Sequence, residues 1–321
     1  MSLPLISICV PIYNVTPYIE RCVRSLLEQT YPNIEYVFVD DCSTDGSLDI
    51  LKQMLDSYPE HRSHVKLIQN DKNHGLAYTR RISIENASGE YVVCVDSDDY
   101  VERNMIQSLV DKAKEEDADI VAAGYFIETK NIKKVEPCPC QPATDYLLLA
   151  LSDYLTPIWC KLIRRSLFAE GRNCFAPEGM DYMEDRMTLL FLASKTTHIV
   201  SINNALYHYV FRGDSVSQGK NEKHFRCLIQ YWKEADKLLK ETNMTEKYRI
   251  LVGTQKIADK AHLLMFCNNQ SRKLFADLYA EEERMYKPKL SRGVALMHWL
   301  TKHHLWVLTY CYQCYIKWLE H

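Results

Sequence analysis

The sequence predicts an α/β fold: a mixed, mainly parallel sheet flanked by helices, followed by an all-α C-terminal appendage. Three observations predict it. Short apolar runs rich in β-branched residues alternate with segments of helical periodicity through the first part of the chain. Several of those runs end in carboxylates, as at Asp41 and Asp96. From Glu222 onward only helical periodicity remains. A catalytic or binding domain is therefore expected over 1–220 and a helical region over 221–321.

Residues 5–10 are an apolar run ending at Pro11 and read as a central strand. Pro11, Ile12, Tyr13 and Asn14 follow as a loop at its carboxyl end. Thr16 before Pro17 predicts a helix start, an N-cap followed by proline at the first helical position. Ile19, Cys22, Val23, Leu26 and Leu27 recur at helical spacing and form one buried face. Residues 34–39 are a second strand ending at Asp40 and Asp41. Asp45 can cap the helix that carries Leu48, Leu51 and Leu55. A third strand is expected at 65–68. Asn73, His74 and Gly75 then turn into a helix bearing Arg80. The run 91–95 is a fourth strand, buried by its composition, with Asp96, Asp98 and Asp99 at or beyond its end.

Three carboxylates this close repel one another. A divalent cation gives them a purpose, and an all-oxygen set suits Mg²⁺ or Mn²⁺. The competing structural reading is a solvated turn that caps the next helix. In open α/β sheets, ligands bind in the crevice outside the carboxyl ends of the strands. Tyr13, Asn14, Asp41, Asp96 and Asp98 would gather there, with a nucleotide as the expected ligand. Tyr13 can stack on a base, Asp41 can accept from a base N–H, and Arg80 can meet phosphate. Each has a plainer alternative: a loop aromatic, a turn cap, and a solvated helix residue.

Farther on, residues 119–125 read as a strand, and the polar stretch 130–144 as a loop or hairpin. Trp159 to Arg164 is an apolar block. Tyr182, Met183, Glu184, Asp185 and Arg186 form a second acidic cluster at the start of an apolar helix. Acids there suit a helix N-terminus, and a carboxylate there can also serve as a general base. Residues 198–202 look like a short strand, leading to Tyr207, His208, Tyr209 and Arg212. His208 is either a satisfied, half-buried histidine or a ligand. Residues 294–319 are rich in Trp and Tyr, which suits a membrane interface or packing on the domain or on a second copy of the chain.

Taken in order, Val10 to Asn14, Val39 to Gly46, Asn73 to Leu76, Ala87 to Tyr91 and Asp96 to Asp99 resemble the nucleotide-binding half of family 2 glycosyltransferases with the GT-A fold. Bacterial members that build capsular and exopolysaccharides are the nearest in kind. The resemblance implies a GT-A-type sheet and an inverting, metal-dependent transfer of a sugar from a nucleotide-diphosphate sugar to a hydroxyl. A UDP-sugar is the expected donor, and a saccharide or lipid-linked saccharide the acceptor. It implies that Pro11, Tyr13 and Asn14 line the donor site, that Asp41 reads the base, and that Asp96 lies near the ribose. Asp98 would ligate Mn²⁺ or Mg²⁺. Asp185 would be the general base, with Glu184 orienting the acceptor. The Tyr-x-Tyr segment resembles one that closes over the diphosphate, where Arg212 or His208 touches phosphate or metal. The family usually has Asn where this chain has Arg81.

The formal net charge of −3 over 321 residues gives no basic field to draw the chain to nucleic acid. The 12 cysteines are scattered, and several, such as Cys9, Cys22 and Cys94, sit inside apolar patterns, as small hydrophobes do in a reducing compartment. Residues 1–13 enter a strand without a basic leader segment. No apolar run approaches the roughly 20 residues that cross a bilayer. A cytoplasmic protein is expected, peripheral at the inner face of the cytoplasmic membrane, with a homodimer as a further option. The alternatives are a catalytically silent nucleotide-sugar-binding scaffold and a nucleotidyltransferase, although the glycine-rich phosphate loop of the latter is missing. No Gly-x-Gly-x-x-Gly follows the first strand, which argues against a dinucleotide-dependent dehydrogenase.

Overall fold

The computed structural model describes residues 3–129, 133–138, 145–152, 157–169, 174–196, 198–211 and 221–303. The chain divides into two compact units, Met1–Ala150 with Leu155–Arg212, and Leu151–Tyr154 with Gly213–His321.

The first unit opens β1 (Ile6–Ile12), α1 (Ile19–Leu27), β2 (Ile34–Asp40), α2 (Ser47–Asp56), β3 (Val65–Gln69), α3 (Leu76–Glu85) and β4 (Tyr91–Cys94). It continues with β5 (Tyr100–Val101), α4 (Met105–Glu116), β6 (Ile120–Glu128), β7 (Lys133–Glu136), α5 (Tyr146–Leu151), β8 (Lys161–Arg164), α6 (Glu184–Ala193) and β9 (Ile199–Val210). The sheet order is β3-β2-β1-β4-β8-β6-β9-β5, with β7 paired to β6. Strands β3, β2, β1 and β4 are mutually parallel, as are β6 and β9. Strand β8 enters antiparallel between β4 and β6, and β5 and β7 also pair antiparallel. Every residue of β1 and β2 is buried, as expected for parallel strands covered on both faces.

Local details depart from the sequence reading for identifiable reasons. Strand β1 runs on through Pro11. Its pairing with β4 covers only residues 6–9, so the missing N–H of Pro11 interrupts no ladder on that side. Helix α1 starts at Ile19, after the expected Thr16–Pro17 position. The Thr16 N–H donates to Asp45 Oδ2 at 2.9 Å and its hydroxyl to the Asp45 carbonyl at 2.7 Å, which ties Thr16 to the next loop. Asp45 precedes the N-cap Gly46 and accepts from the Ser47 N–H at 3.0 Å. Strand β9 is a single strand of 12 residues that joins the two segments expected apart, through register shifts opposite Gly124.

A buried knot closes the amino end of this sheet. Glu35 on β2 accepts from the Ser7 hydroxyl and the Ser88 hydroxyl, each at 2.5 Å, and from the Gly89 N–H at 3.1 Å. A Cβ on Gly89 would lie 2.6 Å from Ser7 Oγ, so only glycine allows this approach. Burial raises the Glu35 pKa, but the hydrogen bonds from Ser7, Ser88 and Lys66 outweigh it and hold the carboxyl down at about 2. A depressed acid stabilises the fold above its unfolded value and loses that contribution as pH falls toward its folded value. Wild-type protein should thus lose stability between its ordinary value of 4.5 and about 2. Glu35→Gln should flatten that limb in urea titrations. An identical acid limb in the variant would show that Glu35 does not drive it.

The second unit contains α7 (Glu222–Glu241), α8 (Thr245–Phe266), α9 (Asn269–Leu274), α10 (Ala280–Tyr286) and α11 (Arg292–Lys302). Helix α7 buries Phe225, Leu228, Tyr231, Trp232, Ala235 and Leu239, the face its periodicity predicts. Its Asn221 cap accepts from the Lys223 N–H at 3.0 Å. Inside, Lys260 on α8 pairs with Glu283 on α10 at 2.5 Å. Among the described residues no helix is long and apolar enough to cross a membrane. The described cysteines are free and, except for Cys42, buried.

Candidate active site

Because β1, β2 and β4 are parallel, their carboxyl ends share one rim of the first unit. Tyr13 stands there 47% exposed. Asn14, in a left-handed conformation at φ 49°, accepts from the Thr44 N–H at 2.9 Å and joins the loops after β1 and β2. Pro11 is buried within β1.

Asp41 is only 2% exposed. Its carboxylate accepts from Asn70 Nδ2 at 2.7 Å, from the His74 N–H at 3.0 Å and from the Gly75 N–H at 2.8 Å. It therefore fixes the turn before α3. The His74 N–H is shared with the second oxygen at 3.1 Å, so these contacts fill the roughly four acceptor positions of the carboxylate, and a base N–H would have to share one of them.

Arg80 is the hub of the site. Its side chain is 5% exposed and faces three carboxylates. Nη2 donates to Asp96 Oδ1 at 2.9 Å, and Nη1 to Asp185 Oδ1 at 2.5 Å and Glu184 Oε1 at 3.3 Å. It is thus neither a solvated helix residue nor a guanidinium kept for phosphate alone. The second Asp185 oxygen accepts from the Ile158 N–H at 3.2 Å.

The turn after β4 is braced from β9. The Tyr207 hydroxyl donates to Asp99 Oδ2 at 2.8 Å and accepts from the Asp96 N–H at 3.1 Å. Asp99 Oδ1 accepts from the Val210 N–H at 2.8 Å. Tyr207 stacks on Trp159 with ring centroids 4.3 Å apart. Asp99 is buried and structural, which leaves Asp96 and the half-buried Asp98 at the rim.

The electrostatics follow from this crowding. Burial pushes the Asp96 carboxyl up to about 6, against the pull of Arg80. Burial, with Asp98 and Asp96 beside it, drives Asp99 well above the carboxylate range. Burial and then the neighbouring Asp185 charge raise Glu184, with Arg80 opposing.

Of the two readings of His208, a satisfied histidine or a ligand at metal or phosphate, the structure shows a satisfied and buried histidine. Its Nδ1 lies 2.9 Å from Glu128 and its Nε2 2.8 Å from Glu102, between the rings of Tyr100 and Phe126. Both ring nitrogens are taken, so no lone pair is offered to a metal on Asp98. Arg212 lies outside the described residues.

In the sequence Tyr207 has a place in the Tyr-x-Tyr segment but no role of its own, and Asn70 and the Ile158 N–H go unremarked. Tyr207 had a usable signal, because Tyr207 and Tyr209 alternate as strand residues on one face do. A backbone donor such as that of Ile158 has none.

The site can be set beside known proteins. The chain is 29% identical over 289 residues to the putative glycosyltransferase EpsH of Bacillus subtilis, covering 87% of this chain and 82% of that protein. The structure of S. aureus TarS 1-349 in complex with UDP-GlcNAc superposes with a TM-score of 0.62 at 19% identity, covering 93% of this chain and 90% of that one. The mannosyltransferase PcManGT of Pyrobaculum calidifontis, in complex with GDP-Man and Mn²⁺, gives 0.58 at 19% identity, covering 94% and 86%. Both share the GT-A arrangement of the sheet seen here. The model of glycosyl transferase family 2 matches residues 7–172, which carry β1 to β8 and most of the carboxylate rim. By that match, and by the sheet on which the rim is built, the chain belongs to glycosyl transferase family 2 and is a glycosyltransferase.

Proposed function

We propose that this enzyme transfers a sugar, with inversion, from a nucleotide-diphosphate sugar to a hydroxyl of a saccharide or lipid-linked saccharide in surface polysaccharide synthesis. One observation carries the proposal. A single guanidinium, Arg80, holds Asp96 from the strand-end rim and Asp185 from α6. The donor side and a candidate base are therefore brought within one side chain's span. A donor laid along the rim would have Tyr13 and Asp41 at its base and Asp96 near its ribose. That TarS and PcManGT bind nucleotide sugars on the same fold supports this placement.

The residues present suit a divalent cation. Among those described, no three His, Cys, Asp or Glu side chains form a ready-made metal cage. A hard cation held by one or two carboxylates and by substrate diphosphate needs no such cage. Asp98, half-buried at the rim, is the residue that would hold it, with Asp96 adjacent. Bound there, Mn²⁺ or Mg²⁺ would neutralise charge on the leaving diphosphate.

Asp185 accepts the proton of the acceptor hydroxyl. That oxygen bonds to the anomeric carbon as the bond from the anomeric carbon to the phosphate oxygen breaks. A single displacement inverts the centre, so no protein nucleophile is required. Helix α11 buries His298, Leu300 and Thr301 and leaves Leu296 and Trp299 exposed. We assign any membrane contact of the 294–319 stretch to that exposed side and to the residues beyond it.

The test is Asp98→Ala. Donor binding measured by thermal shift should lose its Mn²⁺ dependence while the unliganded protein melts as before. In the wild type, donor at 100 times its dissociation constant should stabilise by about 2.7 kcal/mol. Unchanged Mn²⁺-dependent binding in the variant would remove Asp98 from the metal role.

A further inference from the structure

The turn before α3 and the loop before α6 are joined by one histidine. His74 Nδ1 lies 3.0 Å from Glu178 Oε1, and Nε2 lies 2.7 Å from Asp71 Oδ1. Ionised carboxylates only accept, and a neutral imidazole carries a single N–H. Both contacts are hydrogen bonds only when His74 is an imidazolium. The ring lies flat on Tyr78, with centroids 4.1 Å apart and planes 15° apart. Its own backbone N–H is held by Asp41.

A second contact supports the first. Gly75 has φ 88°, and a Cβ there would fall 2.3 Å from Asp181 Oδ1. The loop therefore lies directly on the Gly75 backbone. A few residues on, Glu184 and Asp185 meet Arg80 of α3. The segment 178–185 is thus seated at three points on α3 and the turn before it.

We propose that His74 is a positioning residue: as an imidazolium it clasps Glu178, seats the 178–183 segment, and so places Asp185 against the turn that Asp41 anchors. The proposal rests on the reading of Asp185 as the base. It makes the turn beneath the nucleotide base and the placement of the acceptor's proton acceptor parts of one assembly.

The charged and titratable groups around the ring are Asp71, Glu178 and Asp41, Tyr78 beneath it, Lys72 beside it, and Arg81 over the far ring at 4.9 Å. The bonds to Asp71 and Glu178 raise the His74 pKa above its ordinary value. The clasp is consequently complete below the ordinary histidine range and is lost as pH rises through the raised value.

The experiment uses the full chain with Glu178→Ala and Glu178→Gln. Glu178 is half exposed, so neither variant threatens the fold. Glu178→Ala should lower kcat roughly tenfold through misplacement of the base, with donor KM within about twofold of wild type. Glu178→Gln keeps an acceptor for the Nδ1–H and should recover most of kcat. The His74 ring protons, followed by NMR, should titrate above the ordinary value in wild type and fall back in both variants. Wild-type kcat in Glu178→Ala, or a His74 ring that titrates at the ordinary histidine value in wild type, overturns the proposal. Absence of any sugar transfer by the wild type would reject the enzymatic reading instead, and the His74 titration would still decide the clasp.

Discussion

Asp185→Asn is expected to bind donor as wild type does and to lose transfer by roughly 10²–10⁴-fold, the usual cost of a missing general base. The amide keeps one acceptor oxygen, which can stay on Arg80, while its NH2 takes the place of the oxygen that accepted from the Ile158 N–H, so that weaker 3.2 Å contact is lost. The substitution removes proton uptake and keeps the Arg80 anchor. Glu184 is the rival base, since its raised pKa also suits proton uptake. Glu184→Gln should cost markedly less than Asp185→Asn. Steady-state kinetics of the two variants decide the matter. Near-normal turnover in Asp185→Asn with collapse in Glu184→Gln would move the role to Glu184. Loss of donor binding in Asp185→Asn would make Asp185 structural.

Arg80→Met should be the most destabilising single change in the site. It leaves Asp96, Glu184 and Asp185 crowded and partly buried without their shared cation. Breaking one side of a buried ion pair typically costs about 3–5 kcal/mol. The pH dependence has a definite sign. Without Arg80 the carboxyls take up protons more readily in the folded state than in the unfolded chain. The lost stability should therefore return in part as pH falls, and the deficit should grow as pH rises. Arg80→Lys should not rescue it, because one ammonium cannot span Asp96 and Asp185 as two separate guanidinium nitrogens do. Urea unfolding across pH measures both effects. A variant as stable as wild type at neutral pH would show that the cluster relaxes into water and that Arg80 does not hold it.

The first of these expectations follows from the sequence resemblance, whereas the second could not have come from the sequence. Arg80 was legible as a cation on the helix after Gly75, and Asp96 and Asp185 as carboxylates worth attention. That one side chain would bind all three acids was not legible, because Arg80 is 104 and 105 residues from Glu184 and Asp185. His208 was left open between a satisfied histidine and a ligand, because the acids that decide it, Glu102 and Glu128, reach both of its nitrogens across 106 and 80 residues of chain.

The sequence alone determined what depends on neighbours along the chain. Apolar runs and helical spacing set the order from β1 through β4 and the buried face of α7, since each follows from a repeat of 2 or 3.6 residues. The placement of Tyr13, Asn14, Asp41, Asp96 and Asp98 on one rim also followed, because parallel strands bring their carboxyl ends together. Tertiary structure decided the rest. Strand β8 lies antiparallel beside β4, Tyr207 braces the turn at Asp96 and Asp99, and His74 reaches Glu178. Each is a pairing between distant segments, chosen by which edges and charges meet once the sheet has formed. No local periodicity records such a choice.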